Sequence, residues 1–263
     1  MLKFSFPGPQ SVSFHNHTCW SDGSASPEDL CRAGKKSGLR EFGVSDHWVI
    51  PPEENFPAID WRMDPSRLDA YVETLLRMKK ELDDGSFTLR LGLEVDFFFE
   101  NADAVLGHLK NYPFDYLIGS VHFSGPFSVD GSRSDWLPLS PEQRSAVCET
   151  YWKKLEGAAA CGGFTFLGHL DLPKKFAMID NGKYLAHAER VLDAARDTHT
   201  AIELNTSGWF KDCAEAYPCL PMLRAARLRN IPVVVNSDSH DPAHLTRAFD
   251  RASDWLEQAG YAR

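Results

Sequence analysis

Short apolar runs alternate with longer amphipathic segments along most of this chain. The apolar runs have the length of buried strands, and the segments between them repeat apolar residues three and four positions apart, the spacing of a helix with one buried face. Strands are expected over 12–14, 41–45, 88–95, 116–121, 164–168, 201–204 and 231–236. Helices are expected over 26–38, 64–85, 101–110, 140–160, 182–198, 220–228 and 242–259.

Capping residues support the starts of three of these helices. Ser26 and Asp64 each precede a proline, which suits the first helical position. Ser140 and Gln143 have the spacing of a capping box. The helix starts are therefore predicted from side-chain chemistry as well as from periodicity.

Two long segments have neither the apolar runs of strands nor the apolar spacing of helices, and they are expected to be loops. Residues 51–64, rich in proline and acid, are long enough to form a lid or an insertion. Residues 124–139, rich in glycine, serine and proline, are expected to be an active-site loop. Because seven strand–helix units follow one another with no linker, the pattern favours one α/β barrel of parallel strands, a single domain over 1–263, rather than two domains.

Composition narrows the class of protein. The chain has 263 residues, 43% of them hydrophobic and 25% charged, which is ordinary for a globular enzyme. Its formal net charge of −9 argues against non-specific binding to nucleic acid or to an anionic membrane, although a local basic pocket for a small phosphorylated substrate remains compatible. Six cysteines without a Cys-x-x-Cys pair, and no signal-like or membrane-spanning stretch, lead us to expect reduced thiols and a cytoplasmic location.

Histidines and acids cluster at the ends of the predicted strands. His15 and His17 are two apart in an extended segment, so their side chains face the same side. The carboxyl ends of parallel barrel strands form the rim where ligands bind, so residues from six strand ends are expected to converge there. They are His15, His17 and Asp22, then Asp46 and His47, Glu94 and Asp96, His122, His169 and Asp171, and Asp238 and His240.

This convergence predicts a multinuclear metal site. Nitrogen and carboxylate ligands without a competing thiolate set suit two or three divalent ions of zinc, manganese or iron. Such a cluster lowers the pKa of a bound water and stabilises both the attacking and the leaving oxygens of a phosphoryl transfer. The residues alone therefore indicate metal-assisted hydrolysis and leave the substrate open.

The same motifs resemble a known family. His15-x-His17-Thr18, Ser21-Asp22-Gly23, Ser45-Asp46-His47, Glu94, His122, Gly168-His169 and Asp238-x-His240 are similar to the motifs of the polymerase and histidinol phosphatase (PHP) family. Within that family the run 203–209, followed by Tyr217-Pro218, most resembles the histidinol-phosphate phosphatases. The resemblance implies a distorted, TIM-like seven-stranded (β/α)7 barrel with up to three metals.

The resemblance also implies a division of the ligands among the metals. The first metal would be held by His15, His17, Glu94 and Asp238, and the second by Glu94 as a bridge with His122 and His169. The third would be held by Asp22, His47 and His240. Asp46 would either orient a ligand or serve the leaving group.

The implied activity is hydrolysis of L-histidinol phosphate to L-histidinol and phosphate, a step of histidine biosynthesis, by attack of a metal-bridging hydroxide. The expected catalytic residues are Asp46, Glu94 and Asp238. Phosphoryl transfer relies on charge neutralisation, so cations are expected near the metals. The predicted substrate-binding residues are Arg133, Lys174, Lys175, Lys211 and Asn205, and Asp96 or Asp171 is a candidate for binding the substrate amine.

Three other functions remain open at this point. The first is a related phosphoesterase or phosphodiesterase acting on another small phosphate ester. The second is a metal-dependent amide or lactone hydrolase. The third is a non-catalytic metal-binding module of the kind attached to polymerases, which the complete set of nine ligand-type residues and the absence of a polymerase region in the sequence disfavour. No oligomeric state is predicted.

Overall fold

Strands and helices alternate along residues 11–53 and 56–261, the part of the chain that this computed structural model describes. The strands are β1 (Val12–Ser13), β2 (Glu41–Val44), β3 (His47–Trp48), β4 (Thr88–Asp96), β5 (Tyr116–Ser120), β6 (Phe123–Ser124), β7 (Phe127–Ser128), β8 (Phe166–Leu167), β9 (Ala201–Asn205) and β10 (Val233–Asn236). The α-helices are α1 (Pro27–Lys36), α2 (Leu68–Leu82), α3 (Ala102–Leu109), α4 (Arg133–Trp136), α5 (Pro141–Ala160), α6 (Leu185–Thr198), α7 (Leu220–Leu228) and α8 (Phe249–Gln258). Short 3-10 helices lie at Pro65–Arg67, Leu172–Phe176, Asn181–Tyr184, Thr206–Phe210 and Pro242–His244.

Seven parallel strands form a nearly closed barrel in the order β1-β2-β4-β5-β8-β9-β10. β3 pairs with the second half of β4, with His47 opposite Glu94. The two ends of the sheet meet just beyond β1 and β10, where Asn16 and Ser239 pair in parallel and the His17 N–H donates to the Ser239 carbonyl at 2.8 Å. This architecture confirms the predicted seven-stranded barrel, and it brings the carboxyl ends of all the strands to one rim.

Tyr116 fills the interior of the barrel beneath that rim. Its ring packs with Phe14 and Phe166, and its hydroxyl donates to the Phe14 carbonyl at 2.6 Å. Gly43 and Gly92 make room for it, because a Cβ atom on either would lie 2.1 or 2.2 Å from an atom of Tyr116. The lumen is therefore a packed core, and a ligand of the barrel would bind above it, at the rim.

Most predicted elements are confirmed, with differences at their ends and one helix that is interrupted. Ser26 caps α1 by accepting from the Asp29 N–H, and Ser140 forms the predicted capping box at α5. The helix expected over 242–259 is divided into a 3-10 turn and α8. Ala248, with a φ of 61°, interrupts it, since that backbone conformation cannot continue a right-handed helix.

The loop predicted over 124–139 contains more structure than its composition suggested. Its first part is a hairpin of β6 and β7, and its second part includes the short helix α4. Ser132 and Asp135 form a capping box at the start of α4. The buried Trp136 indole donates to the Val129 carbonyl at 3.0 Å, which anchors the helix to the hairpin.

Residues 51–64 form no strand or helix where they are described, and residues 54 and 55 lie outside the described part of the chain. All six cysteines are free thiols. Among the described helices, none combines the length and the apolar composition needed to cross a membrane. That 1–263 is a single domain stays a prediction.

Candidate metal centre

The nine residues predicted as metal ligands lie together at the rim of the barrel. They form overlapping groups in which one nitrogen or carboxylate oxygen from each residue lies within 4.8 Å of the others. Only Asp22, Asp238 and His240 are appreciably exposed, and the other six are buried. The groups are His17 with Asp22, His47 and His240; His15 with Glu94 and His169; His15 with His17 and Asp238; and His47 with Glu94 and His122.

Glu94 lies at the middle of this set and faces two pairs of histidines. Its Oε2 is 3.2 Å from His15 Nε2 and 3.6 Å from His17 Nε2. Its Oε1 is 2.9 Å from His169 Nε2 and 3.6 Å from His122 Nε2. A carboxylate whose two oxygens face different imidazole pairs is compatible with the bridging role that the family resemblance implies, and that role stays a prediction.

Asp238 faces the first pair of histidines, His15 and His17. Its Oδ1 is 3.4 Å from His15 Nε2 and 3.2 Å from His17 Nε2. It adopts a φ of 51°, a left-handed conformation that aspartate tolerates better than most residues and that is common at functional sites. The Asn205 amide donates to its second oxygen, Oδ2, at 3.2 Å, which leaves Oδ1 to face the two imidazoles.

The outer part of the centre is built around Asp22. Its Oδ1 is 3.6 Å from His47 Nε2, and its Oδ2 is 3.2 Å from His240 Nε2. His47 has a second role, because its Nδ1 is 2.7 Å from Glu94 Oε2. The geometry therefore places Asp22, His47 and His240 together as predicted, and it also places His47 within reach of the bridging carboxylate.

Buried atoms without hydrogen bonds show that this set fits a metal. His15 Nε2, both ring nitrogens of His17, His47 Nδ1 and Glu94 Oε2 are buried and make no hydrogen bond. Buried polar atoms are nearly always satisfied, so such a concentration of exceptions calls for a bound cation. Ligand atoms held at about 2.0–2.2 Å around one tetrahedral ion lie about 3.3–3.6 Å apart, close to most of the separations seen here.

Two carboxylates behind the centre orient its histidines. Glu203 Oε1 is 2.7 Å from His15 Nδ1, and Asp96 Oδ2 is 2.7 Å from His122 Nδ1. Each contact leaves the opposite ring nitrogen, Nε2, to face the centre, the arrangement by which proteins fix a metal-binding imidazole.

Asp96 was a candidate for binding the substrate amine, and its contact with His122 corrects that assignment. Asp171, the other candidate, is buried and bonded to Asn181 and Cys219.

The carboxylates and His17 have charge states that suit metal binding. Burial opposes ionisation of Glu94 and Asp238, but the His15 imidazole holds the pKa of both carboxyls well below the usual range. Burial and the nearby His240 lower the pKa of His17 to about 3. The carboxylates are therefore ionised and His17 is neutral at pH 7, as metal ligands must be. Nearby carboxylates act against burial to raise the pKa of His15, that of His122 to about 10 and that of His240 to about 9, so a bound cation must displace a proton from each of these three imidazoles.

Asp46 does not belong to this ligand set. Its carboxylate accepts hydrogen bonds from the backbone N–H and hydroxyl of Thr18, both at 2.9 Å, and from the N–H and hydroxyl of Ser21 at 3.1 and 2.5 Å. Burial raises the pKa of Asp46 to about 6, while these donors act to lower it. The structure thus corrects the idea that Asp46 serves the leaving group: it holds the turn that carries His17 and Asp22.

A cavity of about 360 Å³ opens directly beside the centre. Six of the nine ligands contribute to its wall, and the rest of the wall comes from the loops above the rim. This volume lies at the small end of the range for small-molecule sites. Residues outside the ligand set that line it include Trp61, Ser128, Asp130, Lys175, Lys211 and Tyr217.

A model of the PHP domain matches residues 13–207 of this chain, a stretch that contains seven of the nine ligand residues. The chain belongs to the PHP domain family. Among PHP relatives, the probable histidinol-phosphatase of Deinococcus radiodurans is 34% identical over 250 residues, covering 94% of this chain and 92% of the relative. The histidinol-phosphatase of Bacillus subtilis is 26% identical over 257 residues, covering 90% and 96%.

A solved structure has the same fold. It is the histidinol phosphate phosphatase of Lactococcus lactis subsp. lactis, determined as a complex with zinc, L-histidinol and phosphate. The TM-score is 0.80, the alignment covers 96% of this chain and 95% of that chain, and the sequence identity is 19%. At that identity the likeness concerns the fold.

The predicted substrate-binding residues of this PHP domain fall into two groups. Lys175 and Lys211 line the cavity. Arg133 is exposed and pairs with Asp212 at 2.9 Å, so it does not face the site. Asn205 is buried behind the centre, where it holds Asp238.

Lys174 is the clearest correction among the predicted cations. It is buried, and its Nζ lies 3.0 Å from Asp171 Oδ2 and 2.8 Å from Glu215 Oε2. These two acids hold the Lys174 ammonium between two loops. Lys174 does not line the cavity within the described part of the chain.

Two cavity residues were missed by the sequence analysis. Trp61 comes from the 51–64 segment and packs edge-on against His47, with the ring centroids 4.6 Å apart. Asp130 follows the β6–β7 hairpin; although burial opposes it, His122 and Lys175 lower the pKa of Asp130 and keep it ionised. One indication in the sequence that Trp61 and Asp130 could reach the cavity is that they lie in the two long loops predicted over 51–64 and 124–139.

Proposed function

We propose that this PHP protein is a metal-dependent histidinol-phosphatase, a phosphomonoesterase that hydrolyses L-histidinol phosphate to L-histidinol and phosphate in histidine biosynthesis. The observation that carries the proposal is a complete nine-residue ligand set opening onto a small cavity with two lysines on its wall. The histidinol-phosphatases among its relatives, which align over nearly the whole chain, support the choice of substrate.

The nine ligands would divide among three ions, with Glu94 as the bridge between two of them. His15, His17 and Asp238 would hold one ion with Glu94, and His122 and His169 would hold a second. Asp22, His47 and His240 would hold a third. Zinc, manganese and iron all suit these donors. When bound, the two or three divalent ions neutralise phosphate charge and supply a water that is nucleophilic at neutral pH.

The protein's own side chains position the substrate and water beside the metal ions. Lys175 and Lys211 donate hydrogen bonds to the phosphate oxygens and offset the charge that accumulates on them during displacement. Water attacks phosphorus opposite the ester oxygen, the P–O bond to the amino alcohol breaks, and the released alkoxide takes up the proton that the attacking water loses. Glu203 and Asp96 keep the imidazoles fixed throughout.

The size and setting of the site agree with a small substrate. A 360 Å³ cavity accommodates a monoester with one heterocycle. The cytoplasmic location forms part of this proposal and is supported by the six free thiols. We also expect no nucleic-acid or membrane partner, in line with the net charge of −9.

Steady-state phosphate release tests the proposal. The protein, loaded with manganese or zinc, is assayed with L-histidinol phosphate beside an aryl phosphate and a panel of other monoesters. Histidinol phosphate should lead in kcat/KM by about a hundredfold or more, because buried polar contacts reject analogues that lack the matching group. If a different ester or a phosphodiester leads, the assignment of this substrate is refuted.

A further inference from the structure

Asp130 differs from every other acid on the cavity wall. Asp22 and Asp238 also line the cavity, but both belong to the ligand set. Among the described lining residues, Asp130 is the one carboxylate with no such role. Its side chain is 26% exposed, so it reaches the solvent-filled space instead of the core.

The Asp130 carboxylate can accept a further hydrogen bond. The Lys175 ammonium makes its short contact, 2.7 Å, with the Asp130 backbone carbonyl and lies 3.3 Å from the side-chain Oδ2. The Ser128 hydroxyl donates to Oδ1 at 3.2 Å. A carboxylate has about four acceptor positions, so two long contacts leave part of its capacity for a ligand.

An acid in this place is unfavourable for a plain phosphate ester. Asp130 lines the same cavity as His122 and His169, the cavity in which the phosphate would bind. Its negative charge repels a phosphate dianion. Specificity is often built by such a repulsive element, whose cost disappears only for a ligand with the complementary charge.

We infer that Asp130 is a specificity-determining residue that binds an ammonium group on the substrate, so that the enzyme selects phosphate monoesters of amino alcohols. This rests on the proposed function and deepens it. Trp61 lines the same cavity, with its ring centroid 5.4 Å from that of His122, and offers an aromatic surface for the rest of the organic group. Lys175, beside Asp130, then faces the phosphate while Asp130 faces the amine.

The test compares two esters that differ only in the amine. One is L-histidinol phosphate, and the other is 3-(imidazol-4-yl)propyl phosphate, which lacks the amino group. The wild type should prefer the first by about ten- to a hundredfold in kcat/KM, the range of a hydrogen bond between charged groups. Asp130→Asn should abolish this preference by raising KM for histidinol phosphate, and turnover of the deamino ester should stay equal or improve.

Two further variants make the result specific. Asp130→Glu keeps the charge and should retain part of the preference. Asp197→Asn makes the same change of charge at the carboxyl end of α6, where the side chain is 67% exposed, and should leave the preference unchanged. If Asp130→Asn fails to fold by circular dichroism, Asp130→Glu carries the test through its reduced ratio at constant turnover of the deamino ester.

The outcomes separate this inference from the proposed function. Equal losses on both esters would mean that Asp130 only positions Lys175, and an unchanged ratio would mean that it does not contact the amine; either overturns the inference. A wild type inactive on histidinol phosphate refutes the proposed function instead. In that case 2-aminoethyl phosphate against ethyl phosphate decides whether Asp130 selects the amine.

Discussion

Glu203 Oε1 lies 2.7 Å from His15 Nδ1, with both side chains fully buried. The same carboxylate accepts hydrogen bonds from the His169 N–H and the Asn236 amide, each at 2.9 Å. Glu203 therefore positions His15, a ligand of the first proposed metal, and His169, a ligand of the second. It also links β9 to β8 and β10. Its influence on the centre is exerted through the orientation and basicity of the imidazoles.

Replacing Glu203 should weaken metal binding without removing a ligand. Glu203→Gln keeps the size of the side chain and loses its charge, so we expect metal affinity to fall about ten- to a hundredfold. Metal content after dialysis against buffered free zinc measures the effect. Glu189→Gln, an exposed substitution on α6, is the matched control. Equal metal content in both variants would contradict the role of Glu203.

The packed lumen predicts a large effect from one methyl group. In Gly43→Ala the new Cβ would lie 2.1 Å from the Tyr116 hydroxyl oxygen, so the ring or the strand must shift. We expect the free energy of unfolding to fall by about 1–3 kcal/mol, measured by urea denaturation. Gly107→Ala is the control, since its Cβ meets nothing within 4 Å in α3 and should stabilise the protein by up to about 1 kcal/mol. Similar effects in the two variants would contradict this account of the lumen.

The sequence was most informative where chemistry and periodicity coincide. His15, His17 and His122 follow apolar runs, so once the runs are recognised as parallel strands the topology itself brings these side chains to one rim. The helix starts at Ser26 and Ser140 were equally predictable, because a cap is a local hydrogen bond. Neither inference required knowledge of distant contacts.

The sequence was least informative where a charge finds its partner far along the chain. Lys174 was a reasonable candidate for binding phosphate until the structure showed it bonded to Glu215, 41 residues away. Asp130 and Trp61 face the cavity because their loops fold back over the rim, and loop paths depend on packing that no local pattern records. Arg133 was misplaced for the same reason.

Burial predicts which thiols are reactive. Burial, with a contribution from Asp171, raises the pKa of Cys219 to about 12, and burial raises the pKa of Cys148 to about 11. Both therefore stay protonated at pH 8, and the thiolate is the reactive form. Iodoacetamide should modify the exposed Cys19 and leave these two unmodified, as measured by peptide mass spectrometry. Rapid modification of Cys219 in the folded protein would contradict its burial.

Metal removal should destabilise the fold together with the activity. Without ions, buried atoms such as His15 Nε2 and Glu94 Oε2 lack partners, and an ion that binds only the folded state stabilises it by about 4 kcal/mol at a thousand times its Kd. For a chain of this size that corresponds to a fall in Tm of about 10 °C after chelation. Calorimetry before and after chelation measures the shift, and added zinc or manganese should restore both Tm and turnover. Glu94→Gln removes the charge of the bridge, so its Tm should respond less to chelation than that of the wild type. A metal-free wild type with an unchanged Tm would show that these nine residues do not hold structural ions, because an ion that binds only the folded state must raise Tm.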